Sequence, residues 1–388
     1  MFYRHGVQFI VAIFLVRMLT PAEFGTMALL SLFLGFGFAF ADSGFSAALI
    51  QRQENTHVDE STVFWINMMV SLFAALLLWL SAPSIAAFFN VDVIQPVARV
   101  LAFCLPIGTS ASVHQALLTK RLEFRTLLLV GLFSVSCSSF VAIVLAWKGY
   151  GVWALTAQIM CGSTLSAIAL WILSPWRPAL IFSLSSARRM FSFGGYILAA
   201  SMLGIIYGRL YSVLIGKFYS LSDLGFYSRA ENTKQLPITV LSDLLFRVAQ
   251  PVFSEAASDT ERLKRGVSMA LRSSMLITAP TMLGLAAVAK PFVVTLFGNQ
   301  WLSIVPILQV LCLSGILGLS AGITITGVIA QGHSKFFFGA VVIKQVIGII
   351  LIIAGSLYGV MGIAWSQVAV SIVSFLISAH VSKLCLGY

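Results

Sequence analysis

Leu19-Thr20-Pro21-Ala22-Glu23-Phe24-Gly25 returns 200 residues later as Tyr219-Ser220-Leu221-Ser222-Asp223-Leu224-Gly225. A basic residue precedes each turn at the same offset, Arg17 in the first and Lys217 in the second. A further pair agrees with them. Tyr150-Gly151-Val152 and Tyr358-Gly359-Val360 each open an apolar run, with Gln158 eight residues after the first tyrosine and Gln367 nine after the second. Self-similarity at a long offset marks a duplicated unit. The repeat predicts two six-helix lobes, residues 1–173 and 192–388, joined by a basic amphipathic linker at 174–191. An even number of helices per half makes the repeats parallel, related by a pseudo-twofold axis along the membrane normal around a central cavity. In the linker, Pro175-Trp176-Arg177-Pro178 forces a break. The rest is expected at the cytoplasmic interface, with Trp176 at headgroup depth and Arg188 and Arg189 near anionic lipid.

Between these landmarks the chain is apolar. Of its 388 residues, 59% are hydrophobic and only 10% charged, and the mean hydropathy is +0.98. A soluble domain carries about 25% charged residues, so this composition fits a chain solvated by lipid. A helix crosses the hydrocarbon core with roughly 20 predominantly apolar residues. Runs of that kind fall at 6–19, 26–50, 62–82, 97–118, 126–147, 150–173, 192–216, 224–250, 268–289, 303–330, 336–357 and 359–382. The expectation is an all-α polytopic membrane protein of about 12 transmembrane helices. Continuous runs lack the in–out alternation of barrel strands, which excludes a transmembrane β-barrel. No cleavable signal pattern precedes Phe9–Leu19. That first run is short, so the first helix reads as curtailed and the chain as one that starts late.

The formal net charge is +11, but with no soluble basic domain there is nothing to hold a nucleic acid. The positions of the basic residues instead give an orientation. With the N-terminus inside, cytoplasmic segments hold Arg4, Arg52, Lys120, Arg121, Arg125, Arg177, Arg188 and Arg189, then Arg247, Arg262, Lys264, Arg265, Arg272, Lys335 and Lys383. The opposite loops hold Arg99, Lys148 and Lys290. The positive-inside rule therefore puts both termini of a multi-pass inner-membrane protein in the cytoplasm.

No catalytic constellation stands out. His5, His57, His114, His333 and His380 are scattered without ligand spacing, no glycine-rich loop would cradle a phosphate, and neither a metal nor a cofactor is expected. The five cysteines, Cys104, Cys137, Cys161, Cys312 and Cys385, are odd in number and lie in apolar segments. They read as buried apolar residues.

Ionisable residues at membrane depth carry more information, because each costs at least ~2.5 kcal/mol at a helix centre and such residues usually face a cavity or a partner. Arg17 ends the first helix and Arg209 lies along the seventh, a pseudo-symmetric pair of candidate cavity cations; snorkelling to the outer interface is the alternative for Arg17. Lys344 lies mid-way along the eleventh run, either in the cavity or in an ion pair. Arg229 and Lys234, five apart on the eighth helix, diverge by roughly 140° of rotation, so one faces the cavity and the other the outer interface. Glu231 and Lys234, at i,i+3, have the alternative of pairing with each other. Asp42, in Ala41-Asp42-Ser43-Gly44, is a candidate for coupling to protons or sodium, against a local hydrogen bond to backbone loosened by Gly44. The excess within the membrane is cationic, and arginine forms forked hydrogen bonds to phosphate. A lipid diphosphate suits that chemistry better than a cationic drug.

Two segments carry a resemblance. Val16-Arg17-Met18-Leu19-Thr20-Pro21-Ala22-Glu23-Phe24-Gly25, followed by Asp42-Ser43-Gly44-Phe45-Ser46-Ala47-Ala48-Leu49-Ile50-Gln51-Arg52, resembles the opening of polysaccharide flippases. These belong to the multidrug/oligosaccharidyl-lipid/polysaccharide exporter superfamily, and the likeness is to the branch serving colanic and teichuronic acid export. Leu224-Gly225-Phe226-Tyr227-Ser228-Arg229-Ala230, Leu236-Pro237 and Gln250-Pro251-Val252-Phe253-Ser254 agree in the second half. The resemblance implies a transporter, not an enzyme. It would flip undecaprenyl-diphosphate-linked oligosaccharide repeat units across the inner membrane by alternating access, for exopolysaccharide or lipopolysaccharide biosynthesis. It implies as partners that lipid-linked oligosaccharide, membrane lipids and a polysaccharide polymerase, and it matches Arg17 and Arg209 to places where lipid-diphosphate flippases carry cavity arginines. The chain is shorter than members of that branch, with no helix after the twelfth, as a partial product would be.

Two other functions compete. A multidrug or cation exporter of the same fold would hold organic cations with intramembrane acids, for which only Asp42 and Asp243 are candidates. A membrane glycosyltransferase or polymerase of the same pathway would use a sizeable extramembrane loop to hold the sugar, and the loops here are short. The charge distribution makes the orientation testable. Cysteines introduced at Ser185 and Thr260 are expected to resist impermeant thiol reagents in intact cells, while one near Asp92 reacts; the reverse labelling pattern would invert the topology.

Overall fold

The computed structural model describes residues 2–42, 44–52, 55–256, 259–330 and 334–386. Among them there is no strand, and twelve long helices follow one another: α1 Phe2–Met18, α2 Pro21–Asp42, α3 His57–Phe89, α4 Ile94–Lys120, α5 Phe124–Trp147, α6 Val152–Leu173, α7 Leu184–Phe218, α8 Leu221–Glu255, α9 Thr260–Ala287, α10 Ile304–Ala330, α11 Ser334–Ser356 and α12 Gly359–Leu386. Eight described helices are long and apolar enough to cross a bilayer; a ninth is added if α9 and the short helix Ala289–Leu296, bent 66° from it, form one broken span. This is a multi-pass membrane protein. The bend, at Val288 just before Lys290-Pro291, is a feature the run at 268–289 did not foretell.

Helix ends follow the local chemistry. Thr56 caps α3 in a full capping box: its hydroxyl accepts from the Asp59 N–H at 3.2 Å, and the Asp59 carboxylate accepts from the Thr56 N–H at 3.1 Å. Asp59 is buried there, its charge answered by the orphan donors of a helix N-terminus. The apolar run at 26–50 is not one helix. It breaks after Asp42, where Gly44 sits at φ 72°, and resumes as the short helix Phe45–Gln51.

The chain forms two compact units, residues 1–212 and 213–388, so the division falls inside α7. In the first, Phe45, Leu49, Phe64, Val113, Leu117 and Trp176 form a buried cluster between α3, α4 and the segment after α6. In the second, Phe253, Leu263, Val267, Leu319 and Ile323 pack between α8, α9 and α10.

The repeated turn has the same task in both units. The Thr20 N–H donates to the Glu23 carboxylate at 2.7 Å, and the Ser220 N–H and hydroxyl donate to the Asp223 carboxylate at 3.2 and 2.7 Å. Each acid stands three residues into its helix and satisfies donors that the first turn leaves orphaned. The first turn also packs on the turn that opens α6, and the second makes a bond close to the turn that opens α12. Glu23 lies against Gly151, where a Cβ would come within 2.3 Å of its carboxylate oxygen and where φ is +58°. In the second unit the Tyr219 hydroxyl donates to the Ser356 carbonyl, two residues before Tyr358. The two units thus bring the repeated turn near the later Tyr-Gly-Val motif by different contacts, since a Cβ at Gly359 would meet nothing within 4 Å.

The segment after α6 differs from its expectation. Residues 174–183 run extended along the start of α3, held by polar side chains of that helix. The Ala179 N–H donates to the Ser61 hydroxyl at 3.1 Å, the Ser183 N–H to the Thr62 hydroxyl at 3.1 Å, and the Trp65 indole N–H to the Ala179 carbonyl at 2.8 Å. A His57 ring nitrogen lies 3.0 Å from the Arg177 carbonyl. Trp176 does not face headgroups. It is 6% exposed, with its ring centre 5.0 Å from that of His114 and 6.0 Å from that of Phe64. The reason lies in the prolines: Pro175 and Pro178 have no N–H and hold the strand extended, so the groups that remain bond to α3 and the indole is turned inward. Arg188 is exposed on α7, and the Arg189 side chain lies outside the described residues.

If Trp176 pins this strap, Trp176→Ala should cost about 3–5 kcal/mol, as other buried tryptophan truncations do. The checks are thermal unfolding in detergent and limited proteolysis of 174–183, with the exposed Arg188→Ala as the control expected to change neither.

Candidate functional site

The structure sorts the candidate cations by what answers their charge. In the second unit Lys234 is buried and donates to both oxygens of Glu231, each at 2.8 Å. Of the alternatives open to Lys234, the ion pair is the one realised. Arg229, on the same helix, sets its guanidinium 5.7 Å from the centre of the Phe297 ring, which follows the short helix Ala289–Leu296. That contact is a cation–π interaction within the unit. Lys344 on α11 donates to the Ser378 hydroxyl on α12, and its neighbour Ile343 lines an apolar groove of about 620 Å³ with Leu376 and His380.

The first unit is different. Arg17 is exposed in the last turn of α1, as Lys217 is in the last turn of α7. Arg209 is half-buried well along α7, and no hydrogen bond or ion pair joins it to another described residue.

Asp42 closes α2 and accepts a hydrogen bond from the Ser46 hydroxyl one turn on, across the break at Gly44. The local bond expected of it is therefore made to a side chain and not to backbone; Ser43 lies outside the described residues. Asp42 and Ser46 form one wall of a cavity of about 400 Å³ whose other wall is Thr109, Ser112, Gln115 and Thr119 of α4. Sequence reasoning did not single out these four, though the signal was present. They recur at intervals of three, three and four, which is one face of a helix.

The scattered histidines are explained locally. His114 is fully buried, with its ring centre 4.9 Å from that of Trp171, while His333 and the His5 side chain lie outside the described residues. Among the described residues no three His, Cys, Asp or Glu side chains converge to hold a metal ion. Cys104, Cys137, Cys161 and Cys312 are free thiols, and the Cys385 side chain is not described.

The model of a family described as "polysaccharide biosynthesis protein" matches residues 14–306. The chain is 29% identical over 354 residues to the teichuronic acid biosynthesis protein TuaB of Bacillus subtilis, covering 89% of this chain and 73% of that one. It is 29% identical over 320 residues to the succinoglycan biosynthesis transport protein ExoT of Rhizobium meliloti, covering 82% of this chain and 63% of that one. With the lipopolysaccharide biosynthesis protein WzxC of Escherichia coli the identity is 25% over 375 residues, covering 95% and 75%. The fold matches that of the lipid II flippase MurJ in an inward-closed conformation, with a TM-score of 0.80 and 17% identity over 98% of this chain and 85% of that one. It also matches an inward-facing multidrug-resistance MATE family transporter, with a TM-score of 0.78 and 16% identity over 98% and 95%. Both likenesses show the twelve-helix architecture and no more. The chain belongs to the polysaccharide biosynthesis protein family.

Proposed function

We propose that this protein flips undecaprenyl-diphosphate-linked oligosaccharide repeat units from the cytoplasmic to the outer leaflet of a bacterial inner membrane, for exopolysaccharide or lipopolysaccharide assembly. Both termini are cytoplasmic in this reading, and residues 1–173 and 192–388 act as two lobes that alternate access to the two sides. No bond is made or broken. The unit is delivered on the outer side to a polysaccharide polymerase. Family membership and the fold support the class of protein, and one observation carries the mechanism: Arg209, half-buried along α7 with no side-chain partner among the described residues. Its planar fork suits two phosphate oxygens at once. Arg17 is a secondary candidate for the same anion; Arg229, Lys234 and Lys344 are engaged within their own unit.

Two measurements test this. Loss of the gene should leave lipid-linked sugar accumulating in the inner leaflet while glycosyl transfer by isolated membranes stays normal; membranes that no longer assemble the lipid-linked unit would put the protein among the enzymes. Arg209→Ala should abolish polymer export with membrane abundance and thermal stability unchanged or raised, since a costly charge has gone. Arg209→Lys should restore export only in part, because an ammonium keeps the charge and loses the bidentate geometry. Wild-type export by well-folded Arg209→Ala protein would remove this residue from the mechanism.

A further inference from the structure

We infer that the cavity between Asp42 and the polar face of α4 is a saccharide-recognition subsite, which takes a hydroxylated sugar ring of the transported unit. The inference rests on the flippase reading above and adds to it the place where the sugar is read.

The lining limits what the cavity can hold. Among the described residues no lysine, arginine or histidine lines it, so it does not suit the diphosphate end of a lipid-linked substrate. Asp42 is the one charged group among the described lining residues, and a cation would need several oxygens converging at about 2.3–2.6 Å. A space of about 400 Å³ is too open for such a cage and is the size of a small-molecule pocket. What remains is a neutral or amine-bearing molecule rich in hydroxyl groups.

The walls suit that molecule in detail. The Ser46 hydroxyl is donated to one Asp42 oxygen, and the other oxygen has no partner among the described residues. A carboxylate oxygen held in this way is a strong acceptor for a sugar hydroxyl. On the facing helix the Ser112 hydroxyl donates back to the Thr109 carbonyl at 2.9 Å, and that of Thr119 to the Gln115 carbonyl at 2.8 Å. Their protons are committed to backbone, so their oxygens are presented as acceptors. The exposed Gln115 side chain adds two donors and one acceptor, the combination needed for hydroxyls that both give and receive. Phe38, exposed at the cavity, supplies a flat apolar surface for the C–H face of a ring. Gly108 makes room for it: a Cβ there would come within 2.8 Å of the Phe38 ring. The cavity lies at the same end of α4 as the basic turn Lys120-Arg121-Arg125, the side assigned to the cytoplasm, where the repeat unit would be loaded.

The test uses the full chain in lipid nanodiscs with two probes: lipid-linked repeat units extracted from the organism that makes the protein, and bare undecaprenyl diphosphate. The wild-type protein should bind the glycosylated carrier more tightly than the bare one. Gln115→Ala and Asp42→Asn should each weaken binding of the glycosylated carrier about tenfold, the scale of one hydrogen bond to a charged or buried polar group, and leave the bare carrier unchanged. Gln115 is exposed, so its truncation leaves the packing intact. Arg209→Ala should weaken both probes together. Equal wild-type affinity for the two carriers overturns the subsite alone and leaves the flippase reading standing. Unchanged affinity in both cavity variants overturns it too, as does a sodium-dependent stability that only the Asp42→Asn variant loses, which would mark a cation site. No affinity for either carrier overturns the flippase reading and the subsite with it.

Discussion

A charged side chain in the hydrocarbon core must be answered by something, because leaving it unanswered costs several kcal/mol. The ways this protein answers its charges sort its residues by role. Asp59, Glu23 and Asp223 sit in the first turns of helices, where orphan N–H groups and the positive end of the dipole receive them. Lys234 is matched by Glu231, Lys344 by a hydroxyl and Arg229 by an aromatic face. These are solutions within one unit, and they hold whether or not a substrate is present. Arg209 has no such solution among the described residues. In the proposed mechanism its charge is the one that the ligand completes.

The same constraint explains why the duplication survives at turns. Where a span ends, four N–H groups of the next helix have no partner, and in a membrane protein water is not always there to take them. A short acid three residues into the helix solves the problem, and Glu23 and Asp223 do so at matching places. In the first unit, packing of Glu23 against Gly151 then holds the turn that opens α6. Along the spans themselves, lipid-facing and helix-facing positions accept many apolar residues, so nothing preserves identity there.

That difference governs how much was legible. The helices, their number and the repeated turns follow from apolar run length and from the capping chemistry of a few residues, which are local properties. The break at Gly44 and the bend at Val288 were missed because an apolar run does not record whether its helix is continuous. Trp176 was misplaced for a related reason. An amphipathic basic stretch next to a proline pair suits an interface, and only the hydroxyls of Ser61 and Thr62, more than a hundred residues away in sequence, turn it into a strap. The candidate cations were found because a charge in an apolar run is conspicuous. The cavity beside Asp42 was not, because serine, threonine and glutamine are common enough in spans to pass unremarked, and only the fold sets their face opposite a carboxylate.

Recognition of a lipid-linked oligosaccharide divides into two problems with different chemistry. The diphosphate is common to all such carriers, so a forked cation suffices and confers no selectivity. The sugar varies, and discriminating between sugars needs short polar side chains whose hydrogen-bonding roles are fixed in advance. If so, the polar chemistry should not obey the duplication, and it does not. Adding the 200-residue offset to Asp42 gives Ser242, beside Asp243, but there α8 runs on unbroken to Glu255 and the position matching Ser46 is Phe246. The second unit repeats the turns that hold a lobe together and lacks the break that lets a carboxylate face a cavity. Duplication therefore accounts for the scaffold, and divergence within the first unit accounts for the pocket.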